Sequence, residues 1–200
     1  MKTIVKITTA TSLAMCMALA MCLISTVSAS AQQPAFGKGD NVVSLGVGLG
    51  GTLYNGYGYK GSGFSRMPAF SLAYERCIID ELFNEKSSLG VGALLGYTSA
   101  KYNDSGWGWK STDIMIGTRG ALHYAFINKL DTYAGIMLGY NINTWKWTGY
   151  DWATTGKSGS SGLSFGFFAG ARYYFTDAIA AFAEVGYGYT IINLGLALKF

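Results

Sequence analysis

From Val43 to Gly50 every second residue is large and apolar (Val43, Leu45, Val47, Leu49), and every residue between them is Ser or Gly (Ser44, Gly46, Gly48, Gly50). Side chains alternate in direction along a β-strand, so this segment has one bulky apolar face and one nearly bare one. The pattern recurs. Phe70, Leu72 and Tyr74 oppose Ser71, Ala73 and Glu75, and Leu89, Val91, Ala93, Leu95 and Tyr97 oppose Gly90, Gly92 and Gly96. A fourth strand is expected over Asp113 to Phe126, a fifth over Thr132 to Ile142, a sixth over Gly162 to Phe175, a seventh over Ala181 to Tyr189 and an eighth ending at Phe200. A soluble sandwich would turn its large face to a core and load the other face with charge. Here only 13% of the 200 residues are charged, 50% are hydrophobic and 28 are Gly.

Small residues with a few ionisable ones suit the interior of a narrow barrel, which eight strands leave just wide enough for side chains to fill. The large face then meets lipid, with Tyr97, Tyr124, Tyr140, Tyr173, Phe175 and Phe200 placed as aromatic girdles. The expected fold class is all-β, an eight-stranded antiparallel up-and-down transmembrane β-barrel. Connection lengths orient it, because one rim of such barrels has short turns and the other long loops. Thr52 to Arg66, Tyr102 to Thr112 and Asn143 to Ser161 are expected outside. Ile127 to Asp131 and Thr176 to Ala180 are tight and belong to the inner rim. Asp80 to Ser88 is long for that side, and the last outer connection near Thr190 is almost absent.

The first 31 residues have the layout of a cleaved secretory signal. Lys2 and Lys6 precede an apolar run from Leu13 to Leu23, and Ala29, Ser30 and Ala31 offer small residues for cleavage. The run is shorter than the roughly 18 residues that a membrane-spanning helix needs. Met15 and Met21 precede Cys16 and Cys22, where a lipid-attachment signal wants a small residue, so no lipid anchor is expected. Subtracting Lys2 and Lys6 from the net charge of +4 leaves +2 on residues 32–200, the expected barrel domain. With no basic run, nucleic acid is excluded as a partner. Cys77 is the one cysteine left, so no disulfide can form within the domain.

The segment Gly170-Ala171-Arg172-Tyr173-Tyr174-Phe175 followed by Phe182-Ala183-Glu184-Val185-Gly186-Tyr187-Gly188, together with the closing Leu194-Gly195-Leu196-Ala197-Leu198-Lys199-Phe200, resembles small outer-membrane β-barrel proteins of the OmpX and OmpA-barrel type. The resemblance covers residues 32–200. It implies Sec-dependent export, insertion into the outer membrane of a Gram-negative cell, contact with outer-membrane lipid and lipopolysaccharide, and closure of strand eight on strand one as a monomer. Leu194, Leu196, Leu198 and Phe200 are similar to the family's C-terminal signal, read by the barrel-assembly machinery. Members serve as adhesins, structural proteins, small pores and a few enzymes, so no single activity follows.

Glu75, Arg119, Arg172, Glu184 and Lys199 face inward by parity. If the turn pairs 175 with 181, Arg172 and Glu184 sit directly opposite. Such a pair either satisfies charges in a partly dry lumen, where an unpaired one is costly, or gates an ion path. His123 also faces inward, beside Gly135 if 126 pairs with 132, and lacks the serine two positions on that barrel esterases of this size use. Neither it nor Cys77 makes a catalytic site, no ligand cluster supports a metal, and Gly156-Lys157-Ser158 fails the phosphate-loop spacing because Asp151 stands where a glycine is required. No cofactor is expected, and no enzymatic activity. Recognition falls to outer aromatic residues: Tyr54, Tyr57, Tyr59, Trp107, Trp109, Trp145, Trp147, Tyr150 and Trp152. Aromatic, Gly and Ser-rich loops offer contact area at low ordering cost, for a surface glycan or protein. The alternate spacing of Trp107 with Trp109 and of Trp145 with Trp147 equally fits strands continuing beyond the bilayer as an enlarged girdle. A surface-interaction role therefore leads, with a narrow porin-like channel as the alternative and a lipid-modifying enzyme as a remote one.

Overall fold

The computed structural model describes residues 35–51, 63–104, 107–148 and 157–200. They form nine antiparallel strands: β1 (Asn41–Gly51), β2 (Phe64–Arg66), β3 (Ala69–Asp80), β4 (Ser87–Asp104), β5 (Trp107–Ile127), β6 (Leu130–Thr148), β7 (Lys157–Tyr174), β8 (Ile179–Tyr187) and β9 (Thr190–Lys199). The sheet runs β4-β3-β1-β9-β8-β7-β6-β5 and closes through β4 on β5. β2 pairs with β4 alone and continues the β3 stave outward past Met67 and Pro68, so the ring has eight staves. The first and last strands meet as expected, Leu45 opposite Leu196 and Val43 opposite Leu198. Mutual backbone hydrogen bonds between Asn41 and Phe200, at 3.0 and 2.9 Å, finish the seam. The ladder thus runs from stave to stave round the ring, the arrangement that hydrocarbon demands of a β structure.

The two faces separate as the alternation predicts. Leu45, Leu72, Leu95, Ile116, Ile136, Phe165, Val185 and Leu196 are exposed on the outside. The inside is packed by setting large side chains against glycines of other staves, adjacent or across the lumen. A side chain at Gly170 would strike the Tyr133 ring, one at Gly135 the Phe168 ring, one at Gly96 the Tyr189 ring and one at Gly195 the Phe182 ring. The bare face of the sequence pattern is therefore the space into which the few large lumen residues fit. Gly188, at φ 105°, supplies the backbone needed for the abrupt β8–β9 connection.

The staves differ in height. β1, β3, β8 and β9 have 11, 12, 9 and 10 residues, near the 9 to 11 that cross a bilayer. β4, β5, β6 and β7 have 18, 21, 19 and 18. The expected outer loops are thereby corrected: Tyr102–Asp104, Trp107–Thr112, Asn143–Thr148 and Lys157–Ser161 are strand, paired across the ladder as Tyr102 to Trp109 to Trp147 and as Thr112 to Thr144. Period-two spacing persists through these segments, and the ladder simply runs on above the apolar belt. At about 3.3 Å per residue and a tilt near 45°, six or seven extra residues raise this four-stranded sheet about 15 Å above the belt.

Candidate functional site

Two places concentrate side chains with chemistry: the inner half of the lumen, and the raised sheet of β4–β7. In the lumen, five staves each contribute at least one ionisable residue. Glu75 comes from β3, Arg119 and His123 from β5, Asp131 from β6, Arg172 from β7 and Glu184 from β8, and all six are buried. Arg172 donates through Nη2 to Glu75 Oε2 at 2.9 Å and through Nη1 to Asp131 Oδ2 at 3.1 Å. His123 lies between the other oxygens of the same two carboxylates, with Nδ1 at 2.8 Å from Asp131 and Nε2 at 2.9 Å from Glu75. Arg119 Nη2 donates to Glu184 Oε1 at 2.6 Å, and the Tyr133 hydroxyl donates to the same oxygen at 2.9 Å. Three carboxylates thus face two guanidinium groups and one imidazole. The sum is zero when both imidazole nitrogens carry protons, and both have a carboxylate oxygen to donate to.

Two expectations of pairing are corrected. Arg172 stands opposite Phe182, and Glu184 opposite Gly170, because the β7–β8 turn pairs Tyr174 with Ala180. Arg172 therefore binds Glu75 and Asp131, while Glu184 binds Arg119. His123 pairs with Tyr133 instead of Gly135, since the β5–β6 hairpin joins Tyr124 to Thr132 through an irregularity before Ile127. Lys199 is inward but apart from the network. It reaches the carbonyl of Ala35 at 3.0 Å and Asp40 at 3.5 Å, over the Tyr174 ring, at the inner mouth. Asp131 was not among the residues expected here, having been assigned to a turn. Its odd number, shared with the inward Tyr133 and Met137, was the available signal.

β3 and β7 lie four staves apart in either direction round the ring, so the Glu75–Arg172 contact crosses the full width of the lumen. Beneath it Phe36, 2% exposed, packs its ring 4.5 Å from that of His123 and accepts a hydrogen bond from Ser88 at its carbonyl. Above it the Arg119 guanidinium sits 4.0 Å over the Phe168 ring. A cavity of about 40 Å³ lies beside Arg119, Glu184, Phe168 and Tyr189. Higher still, Asp113 accepts from Asn143 at 2.7 Å and Asn141 at 3.2 Å, and the Tyr189 hydroxyl donates to the Phe70 carbonyl at 2.6 Å.

Ser88 lies opposite His123 in the ladder and Asp131 holds His123 Nδ1, but Nε2, the atom that would take a serine proton, faces the Glu75 carboxylate. The Ser88 hydroxyl donates to a backbone carbonyl instead. This is not the geometry of an activated nucleophile. Among the described residues no group of three or more His, Cys, Asp or Glu could hold a metal, and Cys77 is buried beside Val42 and Ala180.

On the raised sheet, the face continuous with the lumen carries a chain of rings. Phe64 lies 6.1 Å from Trp109, Tyr102 stacks on Trp109 at 6.4 Å, Trp109 meets Trp145 at 4.8 Å and Trp145 stacks on Trp147 at 5.8 Å. Trp109 is buried and Trp147 exposed. Trp107 is a strand residue paired with Asp104. Tyr54, Tyr57, Tyr59, Tyr150 and Trp152 lie outside the described residues, as does the signal segment 1–31.

No protein-family model and no curated protein sequence matches the chain. Among solved structures it is similar to Ail, the attachment invasion locus protein of Yersinia pestis, in complex with the heparin analogue sucrose octasulfate. The TM-score is 0.54 at 14% identity, covering 82% of this chain and 99% of that one. OprG of Pseudomonas aeruginosa matches with a TM-score of 0.47 at 11% identity over 84% of this chain and 99% of its own. The N-terminal barrel domain of Pseudomonas aeruginosa OprF matches at 0.42 and 15% over 82% and 99%. The closed ring and the likeness to Ail define the class: the chain has the fold of the small outer-membrane β-barrels.

Proposed function

We propose that this chain is an outer-membrane β-barrel that acts at the cell surface through the raised sheet of β4–β7, with a lumen that does not conduct. The observation that carries the reading is the combination of four staves of 18 to 21 residues with the ring chain Phe64, Tyr102, Trp109, Trp145 and Trp147 on one face of their overshoot. A rigid strand platform presents aromatic faces at less entropic cost than a mobile loop, and such faces suit the C–H surfaces of sugar rings. The partner on this reading is a surface glycan. The sulfated saccharide bound to Ail makes a sensible first probe beside neutral glycans.

The chain reaches this place through a signal cleaved after about residue 31, with Leu194, Leu196, Leu198 and Phe200 read by the assembly machinery. All four project from the outer face of the closing strand or its end. It works as a monomer without a cofactor and without enzymatic chemistry. The channel alternative is disfavoured by the lumen-wide Glu75–Arg172 bridge and by Phe36 beneath it.

Cells displaying the chain, and cells displaying Trp145→Ala/Trp147→Ala, should be compared on an immobilised glycan array after both barrels pass a heat-dependent gel-shift test. Loss of binding by the folded double variant supports the surface role. Equal binding by the two removes the raised sheet from it.

A further inference from the structure

The outward face of the raised sheet carries an unusual row. Lys101 on β4 stands directly opposite Lys110 on β5, and Lys110 opposite Lys146 on β6. Lys101, Lys110 and Lys146 are exposed. Like charges directly opposite one another on a sheet are destabilising, so three consecutive staves bearing an outward lysine at one level need a counter-charge from elsewhere. Among the described side chains, none of the carboxylates of β4–β7 faces outward: Asp113 and Asp131 both point into the lumen.

The level of the row is fixed by the belt below it. Tyr97, Ile114 and Ile142 end the apolar belt on β4, β5 and β6, and Lys101, Lys110 and Lys146 each lie four residues further out. Four residues on a tilted strand rise about 9 Å. Ammonium groups on flexible stems at that height reach the headgroup layer, and Thr112 and Thr144, paired in the row between, add hydroxyl donors. The opposite rim is different in kind. There Lys38, Arg76, Lys86 and Lys129 are interspersed with Asp80, Glu81, Glu85 and Asp177, so it has no run of one sign.

We propose that Lys101, Lys110 and Lys146 form a binding site for the phosphate groups of an anionic lipid in the outward-facing leaflet, held laterally against the outer face of β4–β6. The site rests on the outer-membrane reading above. Lysine binds phosphate as a point charge and tolerates varied geometry, which suits a headgroup at the edge of a fluid layer better than a built pocket would. The lipid supplies the counter-charge that the row lacks, and it fixes the height at which the raised sheet leaves the membrane.

The experiment uses the inserted chain in phosphatidylcholine nanodiscs containing a minor fraction of lipid A or of the same lipid stripped of its phosphates, with bound lipid counted by native mass spectrometry. Each lysine near an anionic surface strengthens association about fivefold, so Lys101→Gln/Lys110→Gln/Lys146→Gln should lose about a hundredfold in apparent affinity for lipid A. Lys38→Gln/Lys129→Gln, at the opposite rim, should lose nothing. Equal retention of lipid A by the triple variant, or equal retention of the dephosphorylated lipid by the unaltered chain, overturns the site while leaving the barrel in place. Failure of the unaltered chain to show a heat-dependent gel shift in any of these discs overturns the outer-membrane reading, and the site falls with it.

Discussion

Replacing Arg172 with methionine tests the account of the lumen most sharply. The guanidinium makes two charged hydrogen bonds, at 2.9 Å to Glu75 and 3.1 Å to Asp131, from a side chain 2% exposed. Methionine fills a comparable length without charge, so the change removes one partner and leaves two buried carboxylates sharing a single imidazole. Breaking a buried ion pair from one side costs about 3–5 kcal/mol, most of it the desolvation of what is left behind. Adding Asp131→Asn removes one of the orphaned charges and should return at least about 1 kcal/mol, a coupling far above what distant sites show. Urea unfolding of the refolded barrel in zwitterionic vesicles, followed by tryptophan fluorescence and gel shift, measures both quantities. A single variant within about 1 kcal/mol of the unaltered chain would refute the claim that Arg172 is the bridge across the lumen. The same variant should remain electrically silent in a planar bilayer, because Arg119, Glu184, Tyr133 and Phe36 still fill the section. Reproducible current steps would mean that the single bridge was all that closed it.

Three further outcomes follow from the geometry. Leu196→Arg, on the apolar face of the closing strand, should destabilise insertion by about 2–4 kcal/mol if that face meets hydrocarbon, and vesicle partitioning during refolding would show no penalty if it does not. Gly96→Leu should cost about 1–3 kcal/mol by driving its side chain into the Tyr189 ring; unfolding midpoints equal to the unaltered chain would show that the lumen yields there. Phe36→Ala should leave the strands intact but raise amide exchange at the inner ends of β4 and β5, whose Ser88 and His123 it covers. Unchanged exchange would sink the idea that this segment seals the mouth.

The faces of the strands were readable from the sequence and the partners across them were not. Period two is written into every stave, so the outward set from Leu45 to Leu196 and the inward set from Glu75 to Glu184 emerge without any knowledge of turns. Register depends on where each turn closes. Placing 175 against 181 and 126 against 132 misjudges each hairpin by two residues, and an even error keeps every side chain on its correct face while changing its neighbour. That is how Arg172 comes to be matched with Glu184 on paper and with Glu75 and Asp131 in space. The bridge to Glu75 was further hidden because it joins staves 97 residues apart on opposite sides of the ring. Asp131 was lost for a local reason: Lys129, at φ 66°, takes the strained position of a turn so tight that β6 begins at Leu130, one residue before the aspartate. The overshoot was obscured by composition. Lys, Trp, Thr and Ser replace the aliphatic residues above the belt, and polarity there reads as loop unless the parity of Trp107 with Trp109 and Trp145 with Trp147 is followed instead.

A lumen filled with aliphatic side chains would pack as well as this one, and replacing buried ion pairs by apolar groups is often neutral or stabilising. In a membrane it would lack something else. A strand that is apolar on both faces can slip by one residue and still bury apolar groups, because lipid accepts on the outside whatever the core loses. Here a one-residue slip of β3, β5, β6, β7 or β8 carries Glu75, Arg119 with His123, Asp131, Arg172 or Glu184 toward hydrocarbon. An arginine at the bilayer midplane alone costs about 2–4 kcal/mol, in addition to the partners stranded inside. The staves without a member of the network, β1, β4 and β9, are fixed otherwise: by glycines at 46, 90, 92, 96 and 195, against which particular groups of other staves pack too closely for a side chain. Charges on five staves and close glycine fits on the other three thus select the same register, and the closed lumen is the consequence of that selection.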